Sequence, residues 1–245
     1  MNVISLVPSI TEALFDLGLT ENEITGRTKF CIHPEGQVNN IPVIGGTKNL
    51  NLEKIRSLKP DLIIANKEEN TKDQVEALME EFKVVVTHVE TVEDNYYLLK
   101  TLGNLFDQQE KAQLFNLKIY EVLENAQINS PLKAAYLIWK NPYMTIGSDT
   151  FIHHILQEIG FENSFKDRTR YPEITVEDLA GTDIIMLSSE PFPFREKHVE
   201  ELKATYPDKP IMIVDGEAFS WYGTHLAKCG QYFKDLIAEV ESLVQ

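Results

Sequence analysis

The sequence predicts an α/β fold: two Rossmann-like lobes with mainly parallel sheets, joined by one long backbone helix. Three observations carry that reading. Short β-branched or Leu-rich runs alternate with amphipathic stretches, the pattern of strand–helix units around a parallel sheet. One segment, Val92 to Ala126, has helical spacing with no strand candidate and no Pro. The same order of signals then stands on both sides of it.

In chain order, the expected strands are Val3–Val7, Leu62–Ala65, Val84–His88, Ala134–Trp139, Ile184–Leu187 and Ile211–Val214. Each is a near-continuous apolar run, as a strand covered on both faces requires. Helical patterns fall at Thr11–Leu17, Leu52–Leu58, Thr71–Glu80, Phe151–Ile159, Lys197–Thr205 and Leu226–Val244. The central segment carries apolar residues from Leu98 through Leu105 and Leu114 to Leu123, roughly 35 residues of helix against a mean near 12. Gly103 and the Asp107–Gln109 stretch are its two candidate break points. The resulting division is 1–90 for the N-terminal lobe, 91–130 for the spine and 131–245 for the C-terminal lobe. A length of 245 residues agrees, being about 1.6 typical domains.

The two halves resemble each other. A strand, Ser9-Ile-Thr11, a helix and Leu17-Gly18 are followed by Asn51-Leu-Glu53 and Asp61-Leu-Ile-Ile64. The second half runs strand, Ser148-Asp-Thr150, helix, Ile159-Gly160, then Thr175-Val-Glu177 and Asp183-Ile-Ile-Met186. Glu53 and Glu177 therefore occupy matching positions, each in the first turn of an expected helix. There an acid either steadies the helix dipole or offers one exposed carboxylate per lobe to a basic two-fold partner.

Composition narrows the function. With 23 Lys+Arg against 38 Asp+Glu, the net charge of −15 argues against gripping nucleic acid or an anionic membrane. Two distant cysteines, Cys31 and Cys229, make neither a disulfide framework nor a zinc site. No apolar run approaches the roughly 20 residues of a membrane helix. Val3-Ile-Ser-Leu-Val7 follows Met1 at once, with no basic and apolar leader regions. The chain as it stands is therefore expected in the cytoplasm, or in the periplasm or at the cell surface if a leader was trimmed.

Catalytic signatures are missing: no G-x-S-x-G, Walker loop, G-x-G-x-x-G or H-E-x-x-H occurs. Asp149 and His153 have i,i+4 spacing for a metal, but a cap and a packed ring explain them as well, and no metal site is assigned. Aromatic residues concentrate instead in loops after expected strands, interleaved with charge. Arg27, Lys29, Phe30 and Cys31 follow Gly26. Trp139 and Tyr143 flank Lys140-Asn-Pro142. Glu190 and Phe192 follow Ile184–Leu187, and Glu217, Trp221 and Tyr222 follow Ile211–Val214. In open α/β sheets such loops bind ligands, and this set suits a large, partly apolar one.

The segments Ile4-Ser-Leu-Val-Pro-Ser9, Asn51-Leu-Glu53 with Leu58-Lys-Pro-Asp-Leu-Ile-Ile64, and Gly147 with Ile159-Gly160 and Glu162-Asn163 resemble class III substrate-binding proteins of ABC importers. This is the cobalamin, haem and ferric-siderophore receptor group, and the cobalamin branch is the most similar. The resemblance implies a bilobal monomer that is not an enzyme and carries no covalent cofactor. Its ligand, cobalamin or another metal chelate, would lie between lobes, with Phe30 and the loops around Trp139, Tyr143 and Glu217–Gly223 lining it. It also implies that Glu53 and Glu177 meet arginines of an ABC permease dimer. Thr47 and Thr224-His225 depart from the cobalamin receptor's tryptophan and Pro-Arg. The alternative is a cytoplasmic enzyme or sensor on the same scaffold, with Cys31, His33, Glu190 and His225 as its reactive groups.

Overall fold

The computed structural model describes residues 1–244. The chain divides into two compact units. Unit 1 comprises Met1–Val89, Glu93–Leu117 and Tyr222–His225, and unit 2 the remainder.

In unit 1, β1 (Val3–Ser5), α1 (Pro8–Leu17), β2 (Ile24–Arg27), the two-residue strands β3 (Gly45–Gly46) and β4 (Asn49–Leu50), α2 (Leu52–Leu58), β5 (Leu62–Asn66), α3 (Lys72–Met79) and β6 (Val84–Thr87) follow one another. The main sheet runs β2-β1-β5-β6, every pair parallel. Its two central strands are buried at every residue, which explains why Val-Ile-Ser and Leu-Ile-Ile-Ala read as strands. Edge strand β2 was not expected, because Ile-Thr-Gly-Arg has one apolar residue. It holds its place through Gly26, where a Cβ would stand only 3.0 Å from Ile4 Cγ1. Helix α1 begins with Pro8 in its first turn and stops at Gly18, whose φ of 109° only glycine adopts readily.

The expected spine is two helices, α4 (Val92–Leu105) and α5 (Gln109–Glu124). The break falls at the second candidate point, where Asp107 takes φ 54°. Gly103 stays helical, and its missing side chain does a different job. A Cβ there would lie 2.7 Å from Ala112 Cβ, so glycine lets the start of α5 close onto α4.

Unit 2 contains β7 (Lys133–Trp139), β8 (Tyr143–Thr145), α6 (Phe151–Glu158), β9 (Glu162–Asn163), β10 (Glu173–Ile174), β11 (Ile184–Ser188), α7 (Glu196–Lys203), β12 (Ile211–Val214), α8 (Gly216–Ser220) and α9 (Gly230–Leu243). Its sheet is mixed. β7, β11 and β12 are parallel, while β8 and β10 add antiparallel strands at one edge and β9 pairs with the start of β7. The antiparallel edge exists because Asn141, at φ 67°, turns β7 straight back into β8. Alternation along β7 divides its side chains between two packed faces. Ala135 and Leu137 join Leu179, Ile185, Leu187, Phe194, Val199 and Leu202. Tyr136 points the other way, 5.1 Å from the Phe219 ring, and Phe219 lies edge-on to Phe233 at 5.4 Å. Among the described residues no helix is long and apolar enough to cross a membrane.

The wholly buried Leu137 and the half-exposed Leu117 give a direct test of this packing. Leu137→Ala is expected to cost about 2–5 kcal/mol in urea unfolding, and Leu117→Ala less than about 0.5 kcal/mol.

Candidate functional site

At the carboxyl end of β2 the chain forms a loop held from within. Arg27 is buried, and its guanidinium donates to its own loop, Nε to the Val38 carbonyl at 2.7 Å and an Nη to that of Thr28 at 3.1 Å. Cys31 is fully buried, accepts from the Thr11 hydroxyl at 3.0 Å and lies 3.2 Å from that of Thr28. Burial pushes its thiol up, outweighing those hydrogen bonds and the Arg27 charge. Arg27 and Cys31, both expected to meet a ligand, are engaged by groups of their own loop and of α1. What they hold outward is Phe30, 49% exposed, with Lys29 Nζ 4.9 Å above its ring.

A second loop of unit 1, not anticipated from sequence, follows β5. Asn66 Oδ1 accepts from the backbone N–H groups of Glu68 and Glu69, and Asn70 Nδ2 donates to the carbonyls of Leu6 and Thr47. This asparagine pair fixes Glu69 half-buried. Burial raises its carboxyl and Glu68 adds to the rise, while Lys48 opposes it. The two Asn residues four apart, just past an apolar strand, were the available signal.

Residues Tyr222–His225 are pinned within unit 1 by two acids of α1, the buried Glu12 and the half-buried Asp16. The Thr224 hydroxyl donates to Asp16, and His225 Nδ1 lies 2.8 Å from Glu12 Oε2, with side chains only 14% and 5% exposed. His33 stands beside them, its ring 5.9 Å from that of His225. Asn95 exchanges hydrogen bonds with both backbone groups of Gly223. Gly223 itself, at φ 87°, packs where a Cβ would be 3.3 Å from Ala13 Cβ and the Ser9 carbonyl.

In unit 2, Trp139 ends β7 with 41% of its surface exposed and meets Phe192 edge-on at 5.6 Å. Phe192 rests in turn on Phe194 and His198, at 4.7 and 5.4 Å. Lys140 is spent on an ion pair with Glu201. Tyr143 is half-buried against the core, and burial raises its hydroxyl. Past β11, Glu190 Oε1 accepts from the Ser220 hydroxyl at 2.8 Å and from Trp221 Nε1 at 3.2 Å. A Cβ on Gly216 would come within 2.4 Å of Glu190 Cγ, so this glycine seats the acid. Burial raises the Glu190 carboxyl, with Glu217 and Asp215 adding to the rise against the pull of Ser220 and Trp221. Glu217, half-buried, starts α8, whose N-terminus Asp215 caps by accepting from the Glu217 N–H at 3.0 Å.

Trp221 and Tyr222, expected to line the ligand site, are 8% and 6% exposed. The expected loop is helix α8, which turns these rings inward. His153 is buried with Nδ1 3.2 Å from Asn163 Nδ2, while the N–H of Arg170 donates to Asp149. Glu53 is 86% exposed in the first turn of α2 and paired with Arg56 at 2.7 Å. Glu177 is exposed at the start of a 3₁₀ turn, Glu177–Gly181, in place of the expected α-helix.

The Glu12–His225 pair has a measurable weight. His225→Ala removes the 2.8 Å partner of a buried carboxylate and is expected to lower stability by about 3–5 kcal/mol. The double variant Glu12→Gln/His225→Ala should recover part of that loss in the same unfolding measurement.

Comparison with known proteins places this geometry. Residues 3–206 match the family model described as periplasmic binding protein. The vitamin B12-binding protein of Salmonella typhimurium is 31% identical over 183 residues, which cover 72% of this chain and 67% of that protein. The vitamin B12-binding protein of Pectobacterium atrosepticum is 27% identical over 98% of this chain and 89% of its own length. Among solved structures, the periplasmic heme-binding protein RhuT of Roseiflexus sp. RS-1 in apo form superimposes with a TM-score of 0.84 at 15% identity, covering 100% of this chain and 99% of that one. The periplasmic vitamin B12 binding protein BtuF of Vibrio cholerae gives 0.81 at 18% identity, covering 98% and 97%. By the family model and the Salmonella relative, the chain belongs to the periplasmic binding protein family.

Proposed function

We propose that the protein is the substrate-binding component of an ABC importer and captures a corrinoid or another metal chelate. The observation that carries this reading is the pair of exposed aromatic rings at the exits of β2 and β7, Phe30 beside the buried Arg27 and Cys31 and Trp139 against Phe192. A flat apolar face in water is costly unless something covers it, and a macrocycle is a large flat partner. The vitamin B12-binding relatives and heme-binding structural neighbours support the ligand class. In this reading Phe30, Lys29, Trp139, Phe192 and Glu190 touch the ligand. Arg27, Cys31, Tyr143, Trp221 and Tyr222 shape the loops from beneath, and Glu217 stands at the start of α8 beside Glu190.

Glu53 and Glu177 are the proposed contacts to a permease dimer. Delivery to a permease requires the outer side of the cytoplasmic membrane, so the protein acts in the periplasm or at the cell surface. The alternative of an enzyme or sensor loses ground because Cys31 is sealed from solvent and His225 is engaged by Glu12.

Both tryptophans of the chain lie in this region, so their fluorescence reports binding. Titration with cyanocobalamin, haemin and a ferric siderophore should show saturable quenching by at least one. Phe30→Ala should then weaken binding about tenfold or more, and ligand absorbance changes should show the same for Trp139→Ala. No quenching by any of the three would overturn the proposal. For docking, the pair Glu53→Ala and Glu177→Ala should abolish ligand-stimulated ATP hydrolysis by the reconstituted importer and leave ligand affinity intact.

A further inference from the structure

The exposed ring of Phe30 rests on the β3–β4 hairpin of its own unit. The Lys29 N–H joins the loop to that hairpin by donating to the Gly45 carbonyl at 2.8 Å. The hairpin is tied down in turn by the β5 exit and α3. Asn70 Nδ2 donates to the Thr47 carbonyl at 3.1 Å, the Thr71 hydroxyl to that of Lys48 at 2.9 Å, and the Leu50 N–H to Gln74 Oε1 at 3.0 Å. Its two glycines do different jobs. Gly45 has φ 116°, and a Cβ there would collide with the Asn49 carbonyl oxygen, so this glycine builds the hairpin. Gly46 lies outside the positive-φ region, so its own backbone does not call for glycine. Its chain neighbours aside, the only atoms of the described residues within 4 Å of a Cβ there would be Phe30 Cε2 at 3.3 Å and Lys29 Cε at 3.5 Å. What its missing side chain leaves room for is the Phe30 ring.

We propose that Gly46 is a positioning residue for ligand binding, its bare backbone being the seat that sets the tilt of the Phe30 ring. The inference rests on the binding-protein reading, in which Phe30 touches the ligand. A carbon at 3.3 Å is closer than the usual contact of about 3.5–4.0 Å, so one side has to give. The hairpin, tied at Thr47, Lys48 and Leu50, yields less readily than a ring with 49% of its surface in water. The exposed Lys29 stem, already at an ordinary contact distance, turns aside easily. Alanine at position 46 therefore tilts the ring and leaves the fold intact. A tilted face loses its fit to a flat ligand, because a gap of roughly half an ångström already forfeits about a quarter of each contact.

The test is a double-mutant cycle on ligand affinity, read by tryptophan quenching with cyanocobalamin, haemin and ferrichrome. For a compound that binds, Gly46→Ala should weaken binding about fivefold to tenfold in the wild-type background. In the Phe30→Leu background, which keeps an apolar side chain but no ring, the same change should cost less than about twofold. Gly46→Ala should melt at the wild-type temperature, whereas Gly45→Ala, forced into a positive φ, should melt lower. In ligand-free protein the aromatic carbon–proton resonances of Phe30, identified by their absence in Phe30→Leu, should shift in Gly46→Ala while those of the other rings stay in place. Equal losses of affinity in both backgrounds overturn the inference and leave the binding-protein reading standing, as do undiminished affinity or unmoved Phe30 resonances in Gly46→Ala. Failure of Gly46→Ala to fold overturns it too, because the ring would then not be the part that yields. Failure of all three compounds to bind the wild-type protein overturns that reading and this inference together.

Discussion

Parallel strand pairing is the constraint from which the rest of the molecule follows. Parallel neighbours cannot be joined by tight turns, so each pair demands a crossover, and the crossovers cover both faces of the sheet. The strands β1, β5, β7 and β11 are consequently apolar along their length, with Ser5, Asn66 and Ser188 near their ends. Polar and aromatic chemistry is displaced to the loops that leave the carboxyl ends. Phe30, Glu69, Trp139, Glu190 and α8 all sit on such exits. Within each unit these groups gather at the exits because the sheet interior leaves nowhere else for them.

Those exits must be stiff, or exposed rings would fold back onto the sheets. Stiffness comes from buried polar groups that each satisfy backbone or one another. Arg27 answers the carbonyls of its own loop, Asn66 and Asn70 tie the β5 exit down, and Glu190 is gripped by Ser220 and Trp221. The Glu12–His225 pair anchors the segment that directly follows Trp221. A buried group of this kind is expensive when unpaired and contributes modestly when paired. Its effect is to make one loop conformation much better than the others.

Long apolar strands were legible from sequence, and short polar ones were not. β5, β7 and β11 are visible as apolar runs because they lie inside their sheets, and the edge strands β6 and β12 are visible through their own β-branched runs. β2, β8 and β10 are short strands whose residues answer to local contacts, as Gly26 does to Ile4 and Asn141 to its turn. The break at Asp107 was one of two readable options, but the choice depended on Ala112 approaching Gly103, a contact no local pattern encodes. Site residues divide in the same way. Phe30 and Trp139 were legible as aromatics past strands and are exposed. Arg27, Cys31 and Trp221 have the same sequence signature and are buried, since position after a strand says nothing about which way a side chain turns. Glu12 was invisible because an acid inside a helix ordinarily faces water, and its partner lies 213 residues away.

Charge acquires a local meaning from this geometry. Most of the 38 acidic residues need no explanation beyond solubility. Glu12, Glu69 and Glu190 differ because each is withdrawn from water while its charge is only partly answered. Glu12 has found a histidine, and its task is to hold a strap. Glu69 and Glu190 have found hydrogen bonds or a distant lysine, and neither has a paired cation of its own at hand. An acid kept in that condition at the exit of a parallel strand lowers stability unless a donor arrives from outside the chain.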